Sequence, residues 1–292
     1  AEYAPAPLWW WTGVLDRERL EWQMDQLEPK GVLNPCVVYV PLRNNNTVEP
    51  DVRSDAWWDF FIWATRECRR RGMSLFWSDY HIDDGLNNDL IRDNLQIRSS
   101  RVSCESRRVT GPAAVEIVFE GDLLSATAYR LENGDAVASS AVSLLDQVEN
   151  QKLTWRAEEG KWLITVAYVD YRWPWYVDAM RSDTAKVFID ENYRVFEDRM
   201  PELLGDGMGG IMQDELNIWK FPPWSSVYAE EFERRKGYDI RPLLPALWHD
   251  IGPITPKVRI DYYDVLVQLV EENYFKPIYE FNEQHGLIHS HD

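Results

Sequence analysis

Cysteine is scarce. Three occur in 292 residues, Cys36, Cys68 and Cys104, far apart in the chain. The odd count argues against a disulfide framework, and with no CxxC pair or Cys/His cluster there is no zinc motif. Cys36 lies in an apolar run, where a free cysteine serves as a small buried hydrophobe. Basic residues are also few: 31 Lys and Arg stand against 49 Asp and Glu, a net charge of −18. Such a chain is a poor partner for nucleic acid, whose binding rests on phosphate neutralisation, and anionic membranes repel it. It suits a neutral substrate better than an anionic one. No apolar stretch approaches the ~20 residues of a membrane span; the longest are strand-length, as at 36–40. There is no Gly-rich phosphate loop, GxSxG elbow or HExxH. Residue 1 is Ala and no signal peptide marks the compartment, so a secreted or periplasmic location is only slightly favoured over a cytoplasmic one.

Aromatics, by contrast, are abundant, with 15 Trp and 14 Tyr. Such an excess accompanies carbohydrate recognition, where flat rings stack on sugar C–H faces, and it equally fits an aromatic core. Hydrophobic residues make up 45% of the chain, enough for a packed interior.

Periodicity gives the order of elements. A short strand at 7–11 precedes a helix at 16–28, with Leu20, Met24 and Leu27 at helical spacing. The run 35–42 reads as a strand buried on both faces. Ser54 caps a helix over 55–71 that Gly72 stops, and 73–77 is a third strand. Strand and helix in alternation predict a parallel α/β sheet. From 101 to 172 the pattern changes to period two, with turn signals at Gly111-Pro112, Asn133-Gly134 and Glu159-Gly160. This predicts an antiparallel β module inserted after the third strand. The α/β rhythm then returns: a helix at 178–200, a strand at 209–215, a helix at 225–236, a short helix at 241–247, a long one at 256–284 and a fifth strand at 287–291. The expected fold is a (β/α)8 TIM-type barrel, partial at five strands. Its parts are a first barrel section at 1–100, the inserted module at 101–172 and the barrel continuation at 173–292.

Chemistry is expected at strand ends. The run Gly210-Ile211-Met212-Gln213-Asp214-Glu215 carries a strand onto two adjacent carboxylates, followed by Trp219 and Trp224. Neighbours on a strand point to opposite faces, so one acid faces the mouth and the other braces a loop or binds a cation. Glu215 is the candidate general acid, since aromatic surroundings raise a carboxyl pKa by desolvation. Asp214 is assigned to substrate support, although a βα loop also carries such acids as helix caps. Asp79 ends the third strand and is a candidate for a sugar hydroxyl or a loop cap. His289 and His291 share one face of the fifth strand, with His291 the candidate ligand for substrate or metal. Trp10, Trp219 and Trp224 are candidate sugar platforms, with packing the alternative for each. Asp79, Asp214 and His291 together are also what a metal-dependent hydrolase of another kind would use. The triplet Asn45-Asn46-Thr47 matches a glycosylation sequon and carries little weight.

Taken in order, several stretches resemble glycoside hydrolase family 106, the α-L-rhamnosidase-like enzymes. They are Trp9-Trp10-Trp11-Thr12-Gly13, Trp57-Trp58 with Arg71-Gly72-Met73-Ser74-Leu75, Ser78-Asp79-Tyr80 and Glu159-Gly160-Lys161-Trp162. Further along come Gln213-Asp214-Glu215, the stretch 237–247, Arg259, Asp261 and Tyr262, then His285-Gly286 and His291. The resemblance implies a barrel hydrolase that removes a terminal sugar, α-L-rhamnose, by inversion, with Glu215 as the acid. It requires no cofactor for the chemistry and admits a bound Ca2+; the metal ligands are unknown. Family members are longer, so it also implies truncation after the fifth strand, with the second carboxylate beyond Asp292. The expected partner is an oligosaccharide or glycoside, and unpaired edges on strands one and five predict self-association or pairing with a missing segment. The alternative is a non-catalytic carbohydrate-binding protein on an incomplete glycosidase barrel.

Overall fold

The structure, a computed structural model, describes residues 4–38, 48–79, 86–172, 177–213, 216 and 221–291. The chain divides into two compact units. The first comprises Ala1–Leu95, Asp183–Leu216 and Tyr274–Asp292; the second comprises Gln96–Ser182 and Asn217–Asn273.

The first unit is built on a parallel sheet. Its strands are β1 (Leu8–Trp10), β2 (Cys36–Val38), β3 (Leu75–Ser78), β4 (Met208–Gln213) and β5 (Ile288–His291), adjacent in that order. Side-chain caps open the helices between them, at Ser54 as the sequence predicts and at Asp16 as well. The Asp16 carboxylate accepts the Arg19 amide at 2.9 Å and opens α1 (Arg17–Leu27). Ser54 Oγ accepts the Trp57 amide at 3.2 Å and opens α2 (Asp55–Arg70). These side-chain oxygens satisfy amides that a helix start leaves without partners. Arg71 then ties the two helices, bonding Glu67 of α2 and reaching Glu21 at 3.2 Å and Asp25 at 3.1 Å on α1.

Much of the tryptophan excess is core. Trp57 stacks on Phe61 at 5.1 Å, meets Trp58 at 5.1 Å and Trp77 at 5.4 Å; Trp11 and Phe196 complete the cluster. Each of the four tryptophans is at most 2% exposed. Edge and offset contacts between rings add about 0.5–1.5 kcal/mol per pair beyond area burial. Because Trp77 faces this cluster, alternation puts Phe76 and Ser78 on the opposite face of β3. There Phe76 lies against Gly210, where a Cβ would come within 2.4 Å of its ring.

The second unit carries the antiparallel sheet, with seven strands among the described residues. Ser100–Val118 and Lys152–Asp170 pair along their length, from Arg101 opposite Asp170 to Val118 opposite Lys152. Asp122–Glu132 pairs on the other side of Lys152–Asp170, and the short Pro223–Trp224 closes the far edge. The Asn133-Gly134 turn forms as the sequence predicts, both residues at positive φ (53° and 96°), which suits a tight hairpin. The other two turn signals act differently. Gly111 and Gly160 face each other in the middle of long strands, at a register shift after Ala157. A Cβ on Gly111 would lie 1.8 Å from the Glu158 carbonyl oxygen. Paired glycines permit a bulge that shifts the register without ending either strand. One face of the sheet closes over Val115, Ile117, Leu153, Trp162, Ile164 and Val166.

The expected (β/α)8 barrel does not form among the described residues. The parallel sheet is open, with β1 and β5 outermost, and the remaining long strands belong to the antiparallel sheet. The chain is a mixed α/β fold with a large antiparallel sheet. Alternating strands and helices dictate parallel neighbours, which did form; closing a ring needs a matched strand number and stagger that five strands do not supply. Among the described residues no helix is long and apolar enough to cross a membrane.

Candidate functional site

Parallel sheets bind ligands outside the carboxyl ends of their strands. In the first unit Met212 pairs with Ser78 and Gln213 with His291. Asp79, Gln213 and His291 therefore lie at one level, at the carboxyl ends of β3, β4 and β5. The next two residues after β4 are Asp214 and Glu215. Both candidate acids, and Trp219 with them, lie outside the described residues.

Asp79 is 8% exposed and anchored by its amide, which donates to the Met212 carbonyl at 3.0 Å. Its carboxylate accepts a hydrogen bond from the Tyr193 hydroxyl. Gln213 Nε2 donates to the Tyr274 hydroxyl at 2.7 Å. Burial, and next the negative charge of Asp79, push the phenols of both Tyr193 and Tyr274 well above the ordinary tyrosine value. Both remain neutral, and Tyr193 serves as a donor to the acid. Their placement has a shared cause. The helical stretch at 182–199 widens to a π turn at Ile189–Tyr193, and Tyr274 lies in a second π turn, Glu271–Phe275. A π turn inserts one extra residue and shifts the face that side chains present, and such turns are frequent at functional sites.

Arg53 completes the cluster. It holds φ of 64°, a left-handed conformation uncommon outside glycine. Its guanidinium donates to Asn192 Oδ1 at 3.0 Å and to the Glu191 carbonyl at 3.2 Å. Burial lowers its pKa to about 10, against the opposing pull of Asp79 and then Glu191. Backbone strain and a partly buried cation together are features that cluster at sites of function. Asn192 Nδ2 and Ser78 Oγ are buried with no hydrogen-bond partner among the described residues.

The other candidates are placed as follows. Trp10 is 45% exposed and borders a cleft of about 300 Å3 at the carboxyl end of β1, beside Thr12, Asp16 and Arg19. His291 is exposed, its ring perpendicular to Phe275 at 4.9 Å. His289 is half-buried against Asn282, and burial, then the nearby His291, lowers its pKa. Trp224 belongs to the second unit, 5% exposed, paired opposite Ser100 and packed on Tyr228 at 5.1 Å. Among the described residues no group of three or more His, Cys, Asp or Glu side chains could hold a metal ion. Asp214 of the expected Asp79–Asp214–His291 set lies outside the described residues.

Tyr193, Tyr274, Arg53 and Asn192 were not singled out from the sequence. Tyr193 and Tyr274 sit in stretches that read as uninterrupted helices, and nothing in the local pattern marks a π turn. Arg53 had one signal, its position just before the Ser54 cap.

No family model matches the chain, and no curated protein matches it. Among solved structures the chain is similar to a rhamnosidase from Novosphingobium sp. PP1Y, with a TM-score of 0.61 at 10% identity. The likeness covers 99% of this chain and 46% of that one, so the chain spans under half the length of that protein. The likeness is one of fold. It supports a rhamnosidase-like fold; it supports neither membership of family 106 nor truncation after a fifth strand.

Proposed function

We propose that the chain is a glycoside hydrolase of rhamnosidase type, or the part of one that carries the acid. The observation that carries this reading is the level line of Asp79, Gln213 and His291 at the carboxyl ends of three neighbouring strands, with the chain running from Gln213 into Asp214 and Glu215. The fold likeness to a rhamnosidase supports it. In this reading Glu215 protonates the leaving oxygen and Asp214 supports the bound sugar. Asp79 is held in place by Tyr193 and fixes the end of β3 beside the site. Trp10 offers its half-exposed ring as a sugar platform. A second carboxylate activates water from the opposite face, giving inversion, which needs the two carboxyls ~6.5–9.5 Å apart.

Glu215→Gln keeps the shape and removes the proton. Hydrolysis of an aryl α-L-rhamnoside should be lost while rhamnose binding persists. Unchanged turnover in that variant removes Glu215 from the mechanism, and binding without turnover in the unaltered chain makes the protein a carbohydrate binder instead.

A further inference from the structure

The cleft of about 300 Å3 beside Trp10 is the one at the carboxyl end of β1, and its position in the sheet can be read from strand register. Trp10 pairs with Val38 of β2, and Val37 pairs with Trp77 of β3, so the row runs on from Val38 to Ser78. Ser78 pairs in turn with Met212 of β4. Neighbouring strands lie ~4.8 Å apart, which puts Trp10 roughly 14 Å along this row from β4. The chain leaves β4 into Asp214 and Glu215 at that same edge of the sheet. The cleft floor is closed by buried Trp11 and Leu20. Its rim faces solvent: Trp10, Thr12, Asp16 and Arg19 all border the cleft and all are exposed.

The rim chemistry narrows the occupant. The Trp10 ring supplies a flat apolar face for sugar C–H groups, and the three polar side chains supply both donors and acceptors for hydroxyls. The Thr12 hydroxyl and the Arg19 guanidinium have no hydrogen-bond partner among the described residues. One Asp16 oxygen holds the Arg19 amide, which leaves the second for a ligand. Asp16 and Arg19 carry opposite charges, so the rim as a whole favours a neutral ligand. The separation from β4 is wider than one sugar ring and within reach of a short chain of them. We propose that this cleft is a distal subsite for a sugar of the leaving chain, which makes a neutral oligosaccharide the preferred substrate of the Glu215 site over a short glycoside. The proposal rests on the glycosidase reading. It sets Trp10 under a sugar further along the chain than the one that is cleaved.

The test is calorimetric titration of the full chain carrying Glu215→Gln with a rhamnose-terminated tetrasaccharide and, separately, with its terminal disaccharide. The tetrasaccharide should bind more tightly. Adding Trp10→Ala should weaken tetrasaccharide binding roughly 2- to 12-fold, the worth of one aromatic stacking contact, and bring it close to that of the disaccharide. Trp10→Phe keeps a ring and should retain part of the preference. Arg19→Gln changes an exposed side chain that bonds nothing else among the described residues. It should narrow the preference too, and it decides the case if Trp10→Ala fails to fold. Equal affinity for the two saccharides, no binding of either, or a preference that survives Trp10→Ala overturns the proposal. Failure of the glycosidase reading shows separately, as no turnover of the tetrasaccharide by the wild type, and the binding comparison still decides the subsite.

Discussion

Replacing Tyr193 with Phe isolates the bond on which the Asp79 cluster depends. The ring contacts survive the change: Phe188 at 5.4 Å and Phe281 at 6.0 Å still have an aromatic partner. Only the hydroxyl is lost, and with it a donor to the carboxylate of Asp79. Hydrogen bonds to charged groups contribute about 1.5–3 kcal/mol net. At 8% exposure Asp79 has little access to water that could replace the donor, which favours the upper part of that range. The folded-to-unfolded ratio should fall roughly 10- to 150-fold, at ~1.4 kcal/mol per factor of ten. Urea unfolding at neutral pH, followed by tryptophan fluorescence, reads this directly. A double-mutant cycle with Asp79→Ala separates the pair from background, and a coupling of about 1.5–3 kcal/mol is expected. A loss below about 0.5 kcal/mol, or additive single variants, would refute the reasoning, because it would mean that the phenol does not hold the acid.

In the second unit Asp170 is fully buried and bonded by Arg172 at 2.9 Å and Arg101 at 2.7 Å. Burial alone would raise its pKa; the hydrogen bonds from Arg172 and Arg101 override it and hold the carboxyl well below its usual 3.8. A depressed folded pKa gives stability that is fully present above the unfolded value and lost as pH falls below it. The denaturation midpoint of the wild type should therefore drop from about pH 4 downward, and Asp170→Asn should flatten that drop at the cost of lower stability at neutral pH. In the first unit, Phe61→Ala opens a hole among Trp11, Trp57, Trp58, Trp77 and Phe196. A loss of about 3–5 kcal/mol by urea unfolding is expected; a loss under about 1 kcal/mol would mean that the cluster is not tightly packed.

The element order was legible because it rests on local signals. Ser54 marks a helix start and Gly72 its stop, and the period of two marks the stretch that holds Ser100–Val118 and Lys152–Asp170. Closure was not legible, because whether five parallel strands form a ring depends on stagger across the sheet. Gly111 and Gly160 misled in one respect: a glycine reads alike in a turn and in a bulge, and only pairing across strands tells them apart. At the strand ends Asp79 was visible as a pattern, while Asp214 and Glu215 lie outside the described residues. The tyrosines that hold Asp79 and Gln213 were not, since a π turn is a departure from the period on which helix recognition relies. Tryptophan count gave no direction by itself. Trp11, Trp57, Trp58 and Trp77 went to the core, and Trp10 stayed half exposed.

The central claim is that Glu215, following β4, serves a sugar-cleaving site. The most direct measurement is proton NMR of an aryl α-L-rhamnoside incubated with the wild-type chain and, in parallel, with Glu215→Gln. The account predicts hydrolysis by the wild type with the β anomer of rhamnose appearing first, and none by the variant. No hydrolysis by the wild type, the α anomer appearing first, or equal turnover by Glu215→Gln would contradict it.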